Sequence, residues 1–336
     1  MDINDLSNKV LFLEDLRSLY GAGSVSSPKR VILSTEDAVD DVTVTEVILD
    51  ETYYGDFDGL INLDYRDVVT RQIVPVIPDK NTAPLLPEDS GGYRDLSLNF
   101  GDTVKKFTVN GFSANAKSRI SDLDFLLIPA DSAVILNVYA GWSSYVISLE
   151  TGGRTEVLLE RAGLKSDGKG YYSYLMDVSV LRVGKNPFRF SVNAVKDGLP
   201  HILKTGIYQC SEGHFEEYLF SGRLGGYVYF PMQGALELST EYEFEIAKYQ
   251  TRTSKAYGQG EPLLKQYTGG LTMTAAAVLS ELLLSDSVLH RSGGTWHPIV
   301  MDTPEITFRN IDSLHYGSFS FRYAEETALR SVIPGF

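Results

Sequence analysis

Residues 56–62 are the part of the sequence that comes nearest to a metal-binding loop. Their carboxylates and Gly59 match the middle of an EF-hand type of calcium loop, in which alternate side chains supply oxygen ligands around a turn. The first and last ligands of such a loop would fall on Tyr54 and Tyr65, and neither residue supplies a carboxylate. We therefore expect a plain turn into a strand at residues 60–63, with no calcium requirement.

The histidines and the single cysteine, Cys210, show no spacing that supports catalysis. No two histidines stand four residues apart as a helical metal pair would, and a lone cysteine excludes both an internal disulfide and a paired-cysteine zinc site. Cys210 and His214 are four apart on a predicted strand and turn, which we interpret as coincidence. The sequence has no Gly-x-Ser-x-Gly elbow and no phosphate loop that ends in Lys-Ser/Thr. We expect no catalytic residue, metal or cofactor.

Carboxylates and exposed aromatic rings keep two sugar-related hypotheses open. A glycosidase needs two facing carboxylates, and candidates include Glu216 and Glu217, but the sequence does not give their separation. Trp142, Tyr145 and Trp296 are the candidate rings for stacking on a glycan, and Trp142 lies in a turn that could present it at a loop tip. Packing in the core is the alternative for these rings, and we favour it.

Composition excludes several classes of function. A formal net charge of −14 argues against sequence-independent binding of nucleic acid and against docking on anionic lipid. No apolar run approaches the ~18 residues of a membrane span. The N-terminus lacks the basic segment and long apolar core of a signal peptide, so we expect a cytoplasmic protein without membrane contact.

Turn signals and hydrophobic patterns predict a chain of 336 residues in three parts. Residues 1–92 form an N-terminal domain with a short helix at 5–20 and a strand pair at 60–63 and 73–77. Residues 93–198 form a sandwich of short strands, and 199–336 form a β domain with a helix at 274–284. We predict a mainly β, multi-domain protein with a central antiparallel β-sandwich and a C-terminal β domain that carries one packed helix.

The last third of the chain contains several short phrases in a distinctive order. They are residues 210–213 (Cys-Ser-Glu-Gly), 224–227 (Leu-Gly-Gly-Tyr), the lone helix, 298–300 (Pro-Ile-Val) and 319–324 (Phe-Ser-Phe-Arg-Tyr-Ala). This order resembles the C-terminal half of structural proteins encoded by phages and prophages of gut Bacteroidetes. The resemblance implies a non-catalytic virion part, of the tail or its tip, that works through shape and assembly.

A virion component implies partners and a location. The expected partners are other virion proteins or copies of the same chain, and the expected location is the host cytoplasm during assembly and then the virion. The apolar end of the chain, with Val332, Ile333 and Phe336, is a candidate arm that docks on the body or on a neighbouring subunit. The alternative is a carbohydrate-binding or adhesin-like module that contacts a cell-surface glycan, and a glycosidase is the third hypothesis.

Overall fold

The computed structural model describes residues 1–39, 42–73, 75–78, 86, 91–111, 125–164, 167–196, 198–221, 226–249, 252–285, 287–307 and 314–324. These residues are mainly β, which confirms the predicted fold class. The chain divides into two compact units. Unit 1 contains Met1–Ser121, Asp131–Gly206 and Ser221–Val228, and unit 2 contains Asp122–Ala130, Ile207–Phe220 and Tyr229–Phe336.

The N-terminal part of unit 1 contributes seven strands. They are β1 Val10–Phe12, β2 Leu19–Ala22, β3 Lys29–Val39, β4 Val42–Tyr53, β5 Leu60–Leu63, β6 Tyr93–Phe100 and β7 Thr103–Asn110. Five of them form a sheet in the order β1-β7-β6-β3-β4, while β2 and β5 pair separately. The helix α1, Arg66–Thr70, follows β5. A core of buried aliphatic side chains, which includes Leu33, Leu98 and Val109, holds this part together.

The N-terminal helix predicted for residues 5–20 is wrong. Asn8 has a φ of 58°, a left-handed conformation that interrupts a helix. Two short 3-10 helices, Ile3–Asp5 and Leu13–Ser18, flank β1, which pairs in parallel with β7. Leu6 and Leu16 of the predicted stripe are buried in the core and Leu13 is partly buried, so the hydrophobic pattern marked core positions but not the type of structure.

The strand predicted at residues 73–77 is also wrong. Its described residues have no regular structure, and β5 pairs with β2 instead. Pro75 lies in the middle of the predicted strand and has no N–H to give to a ladder.

The expected domain boundaries fall at strand connections of unit 1. The first, after residue 92, is where β6 begins, and β6 pairs with β3 across it. The second, after residue 198, lies in the turn of a hairpin that joins the last two strands of the sandwich part. Proline and glycine mark a turn in both cases, but they do not show whether the flanking strands pair with each other.

The middle of the chain contains seven strands. They are β8 Phe125–Pro129, β9 Ala133–Tyr139, β10 Ser144–Thr151, β11 Arg154–Ala162, β12 Tyr171–Asp177, β13 Phe188–Lys196 and β14 Leu199–Lys204. In unit 1, β10 pairs with both β11 and β13, and β14 pairs with β13. The antiparallel pair β9–β12 faces this sheet through Tyr145, whose ring contacts Tyr172 and Tyr174. The only helical turn in the described part of residues 96–194 is the 3-10 segment Val178–Val180.

The last part of the chain contributes eight strands and one helix. They are β15 Ile207–Ser211, β16 Glu216–Ser221, β17 Tyr227–Met232, β18 Leu236–Tyr249, β19 Arg252–Tyr267, α2 Met273–Leu283, β20 Val288–Ser292, β21 Thr295–Thr307 and β22 Tyr316–Tyr323. Seven of these strands form a sheet in the order β17-β16-β20-β21-β22-β19-β18, and β15 pairs in parallel with β8. No helix in the described residues is long and apolar enough to cross a membrane.

The helix α2 matches the predicted segment 274–284 to within one residue at each end. The Thr272 side chain accepts a hydrogen bond from the backbone N–H of Ala275 and so caps its N-terminus. Val278, Leu279 and Leu282 are buried, and the helix packs on β21 of the seven-stranded sheet. Leu283, the fourth residue of the predicted stripe, is half-buried.

Two hairpins are much longer than the ladders that anchor them. Strands β18 and β19 pair from Leu236 and Gln266 at the base to Tyr249 and Arg252 at the turn. In the described residues, β19 meets β22 only over Leu264–Tyr267. Likewise β3 pairs with β4 along its whole length but with β6 only over Val31–Thr35. Both hairpins therefore carry a distal portion in which two strands pair with each other alone, within the described part of the chain.

Candidate functional site

Two of the rings proposed for glycan stacking lie in the core of unit 1. Trp142 is 3% exposed and meets the ring of Tyr139 edge-on, with 6.1 Å between ring centroids. Tyr145 is 1% exposed, and its hydroxyl shares a short hydrogen bond with the hydroxyl of Tyr174. Burial raises the pKa of Tyr145 far above its ordinary value. Neither ring has a free face for a sugar, so core packing accounts for both.

Trp296 is the one candidate ring that remains accessible in part. It is half-buried on β21, opposite Arg291 in register, and the guanidinium carbon of Arg291 lies 6.0 Å from its ring centroid. Arg291 donates to a Glu217 carboxylate oxygen at 2.7 Å, and the hydroxyl of Tyr229 donates to the other oxygen at 2.6 Å. Glu217 is thus engaged in a structural ion pair. The candidate arm residues Val332, Ile333 and Phe336 lie outside the described residues.

The calcium-like loop uses its first carboxylate to close a turn. One oxygen of Asp56 accepts from the backbone N–H groups of Asp58 and Leu60, at 3.0 and 2.8 Å, and the other accepts from the side-chain amide of Asn62 at 3.4 Å. Gly59 has a φ of 74°, which a glycine adopts without strain. Within the described residues no group of histidine, cysteine, aspartate and glutamate side chains is arranged to hold a metal ion.

Cys210 is a half-buried free thiol in unit 2. Burial raises its pKa, which reduces the thiolate fraction that a nucleophile needs.

A group of titratable side chains joins three strands of the seven-stranded sheet. Glu216 and Tyr218 lie on β16, His290 on β20 and Tyr323 on β22, and Tyr218 stands opposite His290 in register. His290 is 1% exposed and Glu216 is 8% exposed. The ring of His290 packs against Tyr218 at 4.9 Å between centroids and against Tyr323 at 5.8 Å. We call Glu216, His290, Tyr323 and His214 the glutamate–histidine cluster.

Hydrogen bonds connect the members of this cluster. Nε2 of His290 lies 2.8 Å from one oxygen of Glu216, and Nε2 of His214 lies 2.6 Å from the other. An ionised carboxylate only accepts, so both nitrogens must carry protons. The remaining Nδ1 of His290 lies 2.7 Å from the Tyr323 hydroxyl, within hydrogen-bond distance. The result is one continuous chain of bonds from Tyr323 through His290 to Glu216.

Burial and the histidine contacts act in opposite directions on the pKa of Glu216. Burial raises the pKa of the Glu216 carboxyl, but hydrogen bonds and charge from His290 and then His214 outweigh it, and the net pKa is below the ordinary value. Burial, with the charge of Glu216, raises the pKa of Tyr323 to about 12, so this phenol keeps its proton at neutral pH. Burial also raises the pKa of Tyr218 well above its ordinary value.

The side chains of the glutamate–histidine cluster connect strands β16, β20 and β22. His290 is buried on both sides by aromatic rings, so no substrate atom can reach it, and the side chain of His214 is the exposed member, at 80%. Sequence reasoning missed the cluster because its members are 74 residues apart in the case of Glu216 and His290. The available signal was weak: a glutamate and a tyrosine at alternate positions of one strand, and a histidine in a later one.

A scan of protein-family models finds no match to this chain, and a search of curated proteins finds none either.

Proposed function

We propose that this protein is a non-catalytic structural component of a phage or prophage particle, of the tail or tail tip, that works by assembling with other virion proteins or with copies of itself. The observation that supports the proposal is the pair of long hairpins, β3–β4 and β18–β19. In the described residues, the distal part of each pairs only within the hairpin. An isolated two-stranded hairpin is marginally stable in water, so such extensions favour a protein whose neighbours complete it.

The candidate carboxylates also favour a structural role. Both oxygens of Glu216 are bound by histidines, and Glu217 is bound by Tyr229 and Arg291. A glycosidase acid or nucleophile has to face a sugar, whereas both of these carboxylates accept hydrogen bonds from neighbouring side chains of the protein. The resemblance of the last third of the sequence to virion proteins points in the same direction.

Inactivation of the gene in a lysogen tests this proposal. Induction of the mutant should give particles without a complete tail, or no infectious particles, and expression of the gene in trans should restore them. A catalytic role outside the virion predicts normal particles from the mutant. Infectious, morphologically normal particles that lack this protein would contradict the proposal.

Glycan binding is the second candidate function, and Trp296 is the observation that favours it. Its half-exposed indole stands beside a planar guanidinium, and sugar rings stack on such surfaces. Binding to a panel of cell-surface glycans should then be lost in Trp296→Ala and retained in Trp142→Phe, because Trp142 is buried. Equal binding by both variants, or no binding by the wild type, would reject a sugar site at Trp296.

A further inference from the structure

Strand β4 is an open edge of the N-terminal sheet. It is the outer strand in the order β1-β7-β6-β3-β4, and in the described residues its only ladder is with β3. Its other side offers a row of backbone donors and acceptors, which is a template for strand addition. A sheet of this kind is normally completed by a partner or protected against one.

The exposed part of β4 lacks the usual protection. Val44 is 48% exposed and Val47 is 56% exposed, and Thr45 and Glu46 between them are exposed as well. Residues 42–49 contain no lysine and no proline, which are the residues that blunt an edge, and they are rich in β-branched types that favour strands. Glu46 is the single charged residue of this stretch.

The positions of the charges decide which partner this edge accepts. Consider two copies of one strand that pair antiparallel about a two-fold axis perpendicular to the sheet. Facing residues then point to the same face of the sheet. Because side chains alternate between the two faces, the numbers of two facing residues are both even or both odd, and their sum is even. With the axis at Val44, Glu46 faces Val42, and with the axis at Thr45, it faces Val44. Neither arrangement places like charges opposite each other.

The outer strand of the other long hairpin, β18, has a charge pattern that disfavours pairing with its own copy. Its glutamates stand at 237, 241, 243 and 245, all odd positions. An axis near the middle of the strand, at Tyr242 or Glu243, therefore sets glutamate against glutamate, and facing like charges are destabilising. Of these two edges, the charge pattern of β18 disfavours pairing with its own copy, whereas that of β4 permits it.

We propose that β4 is the interface through which two copies of this chain pair, by antiparallel strand addition about a two-fold axis at Val44 or Thr45. The partner is a second copy, whose β4 lies antiparallel against the open side of the first. Such an isologous contact uses the same patch on both subunits. The biological meaning of the pairing rests on the proposed assembly function, but the pairing itself is a property of the purified protein.

A cysteine scan tests the register. In a Cys210→Ser background, single cysteines are placed at 43, 44, 45 and 47 and treated with a mild oxidant. Facing residues of an antiparallel pair have Cα atoms about 4.5–5.5 Å apart, within disulfide range. We expect crosslinked dimers from the cysteine at 44 or at 45 and not from 47, whose copies stand about 14–20 Å apart along the strands. Equal crosslinking at all four positions, or none at 44 and 45, would overturn the proposal.

Sedimentation measures the association itself. The wild-type protein should show a concentration-dependent monomer–dimer equilibrium, and Val44→Lys should shift it to monomer. The matched control is Val300→Lys, at a position that is 61% exposed on β21, which should dimerise like the wild type. A wild type that stays monomeric up to about 1 mM would reject the pairing.

These results are separable from the test of the proposed function. A dimer with the expected crosslink, from a protein that is absent from particles, would support the β4 interface and refute the virion role. A protein that is present in particles but shows neither crosslink nor dimer would support the virion role and refute the β4 interface.

Discussion

At the scale of single residues, Glu216 is the group whose surroundings should matter most for the stability of the fold. It is buried, ionised and bound by two histidines from different parts of unit 2, so it links the start of β16 to β20. Removing one partner of a buried charged hydrogen bond leaves the other groups unsatisfied, and that penalty exceeds the value of an ordinary hydrogen bond. The cluster should therefore matter for stability although no chemistry is assigned to it.

We expect Glu216→Gln to lower the free energy of unfolding by about 2–3 kcal/mol. The amide keeps the shape of the side chain but presents an NH2 group to one of two donor nitrogens. Urea denaturation measures the change, and Glu156→Gln, an exposed glutamate on β11, is the control with the same chemistry. Equal stability of the two variants would show that the glutamate–histidine cluster contributes nothing to the free energy of unfolding.

The lowered pKa of Glu216 gives this contribution a pH dependence. A carboxyl whose pKa is lower in the folded than in the unfolded chain stabilises the fold above the unfolded value, and the stabilisation is lost as the pH falls through the folded value. The ordinary value is 4.5. The stability difference between wild type and Glu216→Gln should be constant just above that pH and shrink below it. A difference that grows on acidification would contradict the assignment.

Asp56 gives a second prediction at this scale. Because its carboxylate oxygens accept hydrogen bonds from the loop, the loop should need no calcium. EDTA should leave the melting temperature unchanged, and added calcium should not raise it. A drop of many degrees with EDTA that calcium reverses would show that the loop holds the ion in the folded protein.

At the scale of elements, the sequence predicted those whose pattern is local. The helix α2 has an apolar stripe and a threonine cap, and β5 was predicted with its observed bounds. Strand β19 was missed, because Gly258, Gly260 and Pro262 are typical of loops. In the hairpin, Gly260 and Gly258 stand opposite Tyr242 and Phe244, a cross-strand relation that no local window contains.

The site was less predictable than the fold. Burial of Trp142 and Tyr145, and contact between Glu216 and His290, depend on which strands pair. The sequence offered the residue types but not the register. The same limit explains the N-terminal helix: leucines with helical spacing are also buried when short 3-10 turns alternate with strands.

Leu282 tests the packing of α2. Its side chain is fully buried, so Leu282→Ala should destabilise the protein by about 2–5 kcal/mol. Leu284 follows the helix and is 84% exposed, and Leu284→Ala should change stability by less than about 0.5 kcal/mol. Chemical denaturation of the two variants side by side measures the contrast. Similar losses of stability in both variants would contradict the burial of Leu282 by the packing of α2.

At the scale of the whole molecule, the chain combines a large negative charge with open strand edges. The charge of −14 keeps copies apart in general, which leaves specific edges to choose their partners. One hairpin carries glutamates at alternate positions of its outer strand, while the other carries exposed valines.

Immunogold electron microscopy of particles released by an induced lysogen, with antibody against this protein, tests the proposed place in the virion most directly. We expect label at the tail or tail tip of intact particles, and no label on particles from a strain that lacks the gene. Unlabelled particles, from cells in which the same antibody detects the protein in the lysate, would contradict it.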